Sequence, residues 1–140
     1  MPRHDPVLSH TFRLLTCAQP EQVWGSLLCP ERSPRYLHGL SVRTSWEPGA
    51  PVQLELTGFP ALQGQVLRIE PPHLLSLTVE DAGSGSCTYL TWTLRRSDER
   101  TVVRLLVEEA PASGTSEDEL EDVWLPVLDR LGELLRDEMG

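Results

Sequence analysis

The period of the apolar positions changes three times along the chain. From Val7 to Thr16, Leu8, His10, Phe12 and Leu14 share one parity while Ser9, Thr11 and Arg13 take the other. That alternation predicts a half-buried first strand. Val23, Trp24, Leu27 and Leu28 then step by three and four, a short helical face opened by Pro20, with Glu21 at its positive end. Pro30 ends this run. Glu31 to Leu37 predicts a second turn or short helix interrupted by Pro34, and Gly39 permits a reversal. Period two then returns for about six runs. They are Ser41–Glu47 with Val42 and Trp46, then Val52, Leu54 and Leu56, then Leu62–Glu70. Leu74–Glu80 follows with Leu75, Leu77 and Val79 on one face, then Cys87–Arg95 with Leu90, Trp92 and Leu94, then Thr101–Glu108 with Val103, Leu105 and Val107. Turn residues separate them at Pro48–Pro51, Gly58–Ala61, Pro71–Pro72, the loop Asp81–Ser86, and Ser97–Arg100. Pro111–Thr115 links to the last element.

That element, Ser116 to Met139, is the longest helical pattern. Leu120, Val123, Trp124, Val127, Leu128, Leu131, Leu134 and Leu135 fall on one stripe. Its length at 1.5 Å per residue is about 36 Å. Ser116 with Glu119 fits a capping box. Pro126 removes one backbone donor and crowds the Asp122 carbonyl, so a kink is expected there. Connections as short as those between the strands favour antiparallel pairing, because a parallel crossover needs about a dozen residues. The pattern therefore predicts an α+β fold: an antiparallel sheet of about six or seven strands, two short helices after the first strand, and one long C-terminal helix laid on the sheet.

Length and charge narrow this picture. With 140 residues the chain reads as one domain, 1–140, with 1–6 as a loose terminus and 116–139 as the closing helix. A formal net charge of −9 disfavours nucleic acid and anionic membrane surfaces as partners. All twelve basic residues are Arg, which excludes Schiff-base and lysine-nucleophile chemistry. Cys17, Cys29 and Cys87 are isolated and odd in number, fitting reduced thiols and a cytoplasmic protein. The opening MPRHDPVLSH has no apolar leader core, and no run is long enough to span a membrane.

The candidate chemistry is thin. His4, His10, His38 and His73 are scattered without acidic or Cys partners at ligand spacing, so no metal site or cofactor is expected. No GxSxG motif is present, and Gly83–Gly85 has no helix following it. The acids Glu117, Asp118, Glu119, Glu121 and Asp122 suit a solvated helix start, or a docking surface for a basic partner.

Several segments together resemble a known family. Val23, Trp24, Cys29, Pro30, Glu31 and Tyr36 are similar to the "VWxxLtdPexlxxW" opening of START-like (SRPBCC) proteins, in the branch named after homologues of the heat-shock-protein-ninety ATPase activator. GQVLRIEPPHLL, from Gly64 to Leu75, resembles that branch's "GxVxxxxPPxxL" strand pair. Leu90–Leu94, Thr101–Val107, and Trp124 with Leu128–Leu131 resemble its last strands and closing helix. The resemblance implies a helix-grip fold, with a cavity between helix and sheet. It implies no shared catalytic set, since the superfamily includes lipid carriers, receptors, cyclases and co-chaperones. The family's usual aromatic pair after the second helix is Tyr36 and Leu37 here, and Val107, Glu108 and Glu109 stand where a His is often found.

The positions expected to point inward are Trp46, Leu54, Leu56, Leu67, Ile69, Leu77, Leu90, Trp92, Leu105, Trp124, Val127, Leu128 and Leu131. They can form a filled core or the wall of a ligand pocket, and both readings stay open at this point. Tyr36, His38 and Arg43 fall near the expected mouth, where they would orient a polar end of a ligand. The leading expectation is a non-catalytic binding protein for a small hydrophobic or aromatic molecule. The alternatives are a co-chaperone-like module with a protein partner in stress response, and a cyclase- or hydrolase-like enzyme.

Overall fold

The computed structural model describes residues 8–56, 62–81, 86–109 and 117–139. The alternating runs become strands β1 (Leu8–Thr16), β2 (Ser41–Arg43), β3 (Pro51–Glu55), β4 (Leu62–Glu70), β5 (Leu74–Asp81), β6 (Ser86–Ser97) and β7 (Arg100–Glu109). The helical patterns become α1 (Pro20–Leu28) and α2 (Ser33–Tyr36) between β1 and β2, and α3 (Glu117–Met139) at the end. All seven strands form one antiparallel sheet in the order β1-β7-β6-β5-β4-β3-β2. β1 crosses to pair with the last strand, from Leu8 opposite Glu109 to Thr16 opposite Thr101. This is the α+β helix-grip arrangement, with the curved sheet around the closing helix.

The inward residues share one apolar core. Phe12, Val66, Leu75, Leu77, Leu90, Trp92, Leu94, Val103, Leu105 and Val107 from the strands join Leu120, Val127, Leu128, Leu131, Leu134 and Leu135 from α3. α3 packs on β1 and α2. Its approach to β1 is close at Gly132, where a Cβ would stand 3.1 Å from Leu14 Cδ1. No helix among the described residues is long and apolar enough to cross a membrane.

Local chemistry sets the entry of each short helix. Gln22 Oε1 accepts the Gln19 N–H at 2.8 Å, and Pro20 takes the first turn of α1, where a missing N–H costs nothing. The turn before α1 is tied to β7: Thr101 Oγ1 donates to Ala18 O at 2.7 Å, and Ala18 N–H donates to Thr16 Oγ1 at 3.1 Å, all buried. Ser33 Oγ accepts the Val42 N–H at 3.0 Å, which fixes α2 to β2.

Three expectations need correction. β2 ends at Arg43, not Glu47, because Trp46 adopts φ +58°, outside the extended region. β6 and β7 run longer than predicted and meet in a hairpin whose turn residue Asp98 takes φ +56°. Leu67 does not point inward. The β4–β5 register shifts between Val66 and Arg68, a bulge that turns Leu67 out to 39% exposure and leaves Val66 wholly buried. The expected cap at Ser116, the loose terminus 1–6, the Gly58–Ala61 turn, the linker Pro111–Thr115 and the centre of the Asp81–Ser86 loop lie outside the described residues.

Candidate functional site

Between the helices and the β2–β6 part of the sheet lies a cavity of about 190 Å³. Its lining is almost wholly apolar: Leu27, Tyr36, Leu37, His38, Leu40, Val42, Trp46, Leu54, Leu62, Leu75, Leu77, Val79, Leu90, Trp92, Val123 and Trp124. Sheet register explains the floor. Leu75 sits opposite Trp92, Leu77 opposite Leu90, and Val42 opposite Leu54, which in turn faces Leu62. The α3 stripe is interrupted above it. Leu120 and Val127 are fully buried, but Val123 between them is 45% exposed and Trp124 is half-buried. Val123 and the exposed His38 therefore stand at the rim.

Eight of the expected residues line this space: Tyr36, His38, Trp46, Leu54, Leu77, Leu90, Trp92 and Trp124. Leu105, Val127, Leu128 and Leu131 are buried in the core instead, and Ile69 and Leu56 are half-buried away from the cavity. Leu67 is on the outer side of its strand. Arg43 is exposed, and its Nε donates to Glu55 Oε1 at 2.9 Å, so it does not reach the mouth. Reading by residues missed Leu27, Leu37, Leu40, Val42, Leu62, Leu75, Val79 and Val123. For Leu75 and Val79 a signal was present, since they share the parity of Leu77. Val42 likewise shares the parity of Trp46 in the Ser41–Glu47 run. Leu37 and Leu40 belong to the short connection after α2, where no period exists to assign a face.

The polar side-chain atoms of Tyr36 and His38 are engaged within the protein. The Tyr36 hydroxyl donates to Leu27 O at 2.7 Å. Burial, with a smaller contribution from Cys29, holds this phenol well above its ordinary pKa of 10.0. The Tyr36 ring also meets Trp92 edge-on, with centroids 6.3 Å apart. His38 bridges two elements. Its Nε2 lies 2.7 Å from Val123 O, and its Nδ1 lies 3.3 Å from Arg130 Nη1. A carbonyl only accepts and a guanidinium only donates, so Nε2 carries the proton and Nδ1 receives the Arg130 N–H. This bond reaches the α3 backbone three residues before Pro126, where the helical ladder lacks a donor.

Backbone strain gathers at the same place. Three described non-glycine residues have positive φ: His38 (+54°), Trp46 (+58°) and the hairpin residue Asp98 (+56°). The first two line the cavity. A left-handed conformation costs a bulky residue roughly 1–3 kcal/mol, and it persists only when its surroundings hold it. No Asp or Glu lies among the described lining residues, and no group of three or more potential metal ligands is present among the described residues. As arranged, the cavity can enclose an apolar body by shape and aromatic contact.

Comparison with known proteins adds the following. Residues 17–136 match the family described as Activator of Hsp90 ATPase homolog 1-like protein. Among solved structures, the crystal structure of CalU16 from Micromonospora echinospora is 25% identical. It aligns over 94% of this chain and 78% of that one, with a TM-score of 0.71. DynU16, a protein of the dynemicin biosynthetic locus, is 22% identical over 96% of this chain, with a TM-score of 0.75; this chain spans 48% of its length. Protein CV1439 from Chromobacterium violaceum is 19% identical over 91% of this chain and 96% of that one, with a TM-score of 0.73. The last two likenesses speak to the fold alone. No curated protein sequence matches the chain.

Proposed function

The chain belongs to the family of Activator of Hsp90 ATPase homolog 1-like proteins, within the START-like superfamily, and from that premise we propose that it is a binding protein for a small, neutral, apolar molecule held under α3. The observation that carries this reading is the cavity itself, about 190 Å³ with an apolar wall bordered by two strained residues. Closing that space with one larger side chain would be simple, and strain at His38 and Trp46 would then have no use. An apolar cavity of about 150 Å³ accepts a benzene ring, so a molecule of one or two rings fits the volume here. A buried charge without a partner is costly, which favours a neutral occupant. The unpaired thiols Cys17, Cys29 and Cys87 agree with a cytoplasmic setting.

The test uses naphthalene as probe and the tryptophans as reporters. Trp46, Trp92 and Trp124 all line the cavity, so entry should quench or shift the emission, with a Kd on the order of 10–100 µM for about ten non-hydrogen atoms. Leu77→Trp, which fills the space, should abolish the change while the protein stays folded. No response in the wild type, or an equal response in the filled variant, rejects this reading.

A second reading rests on the family description and on exposed acids at Asp118 and Asp122 early in α3. On that reading the chain is a co-chaperone-like module that raises Hsp90 ATP turnover. It predicts a rise in Hsp90 hydrolysis on addition of the chain, reduced by Asp118→Arg with Asp122→Arg. An unchanged turnover removes it.

A further inference from the structure

Buried donors in folded proteins nearly always have an acceptor, and a tryptophan indole N–H is a donor with no second role. The cavity wall obeys this rule with one exception. Tyr36 donates to Leu27 O, and both nitrogens of His38 are engaged. Trp46 and Trp124 are half-buried, so water can reach their rings. Trp92 is different. It is 3% exposed, it lines the cavity, and among the described residues its indole N–H donates to no protein group. It meets the Tyr36 ring edge-on at 6.3 Å, a contact that offers no acceptor atom. The Tyr36 hydroxyl is turned to the α1 backbone.

From this we infer that the molecule taken into the cavity carries one oxygen acceptor for the Trp92 indole N–H, and so is a neutral one- or two-ring carbonyl or ether compound rather than a hydrocarbon. The inference rests on the binding reading above and adds the polar feature that reading lacks. The position of Trp92 suits the role. β6 lies inside the sheet between β5 and β7, and Trp92 is held opposite Leu75 on one side and Leu105 on the other. The donor is therefore fixed by the sheet before any ligand arrives, and binding need not order it. An oxygen on the ligand recovers a bond that a hydrocarbon leaves unmade. The net effect of one such bond is about a 2- to 10-fold change in affinity.

The probes are tetralin and 1-tetralone, which share a two-ring skeleton and differ in one carbonyl. Affinities are measured by calorimetry for the wild type and for Trp92→Phe, which keeps a ring and removes the donor. In parallel, the indole N–H resonances of the ¹⁵N-labelled wild type are followed, so the test stands even if the variant fails to fold. The expected result is tighter binding of 1-tetralone by the wild type, loss of about 2- to 10-fold of that preference in Trp92→Phe, and a downfield shift of the Trp92 N–H with 1-tetralone alone. If both probes bind equally and the Trp92 resonance responds alike to each, the inference is overturned while the binding reading stands. A water molecule held by Trp92 would give that outcome. A shift confined to Trp46 or Trp124 also overturns it. If neither probe binds, the binding reading itself falls.

Discussion

Single residues in this protein carry roles that differ sharply from their residue type's usual one. His38 is exposed yet consequential: it ties the turn after α2 to the α3 backbone while held at φ +54°. Two substitutions separate these effects. His38→Ala loses the bond and keeps the strain; His38→Gly loses the bond and relieves the strain. The glycine variant should therefore be about 1 kcal/mol more stable than the alanine variant in urea unfolding, the reverse of their order in a regular element. Gly64 answers to another constraint. A Cβ there would lie 1.8 Å from the Thr78 carbonyl oxygen in the neighbouring strand. Gly64→Ala must push β4 from β5, and a loss of more than about 3 kcal/mol is expected, seen as a collapsed thermal midpoint. Tyr36 supplies a pH signature. Its folded-state pKa is raised, so its stabilising effect is complete below the ordinary value of 10.0 and is lost as pH rises above it, where only the unfolded chain ionises. Stability should fall by about 1.4 kcal/mol per pH unit from this group alone above pH 10. Tyr36→Phe should remove that part of the slope, and it should cost about 1–2 kcal/mol at pH 7 by unpairing Leu27 O.

At the scale of elements, the bulge in β4 shows what periodicity can and cannot tell. Val66 and Leu67 are adjacent and both apolar, so parity alone allows either to face inward. Ile69 pointed to Leu67 as its partner, and a regular strand would obey. The extra residue between Val66 and Arg68 shifts the phase, which no count of alternating positions reveals. The consequence is measurable: Leu67→Ser should change stability by less than about 0.5 kcal/mol, while Val66→Ala should cost about 1–3 kcal/mol. By contrast, β4 ended and β5 began where predicted, because Pro71 and Pro72 punctuate them, and α1 began at Pro20 for the same reason. β2 was overdrawn because a tryptophan at positive φ has no sequence signature. In α3 the stripe of leucines was legible, whereas the outward turn of Val123 beside His38 required a residue 85 positions away.

Over the whole molecule, fold class and the identity of the long helix were readable because each depends on many residues acting together. The cavity wall was half-readable: sheet positions follow parity, but Leu37 and Leu40 depend on how one short connection packs. The sheet order also has a consequence in time. β1 is made before the other strands, yet its partner β7 is the last of them to be made. At a synthesis rate of about 5–20 residues per second, β1 must wait roughly 5–20 s for the residues it will pair with. During that interval Phe12 and Leu14 face water, and the strand has no edge to join, since β2 to β6 pair among themselves without it. The amino-terminal strand is thus the latest to be secured on the ribosome, and the growing chain stays open to capture by other proteins until its hundred-and-first residue and those beyond it emerge.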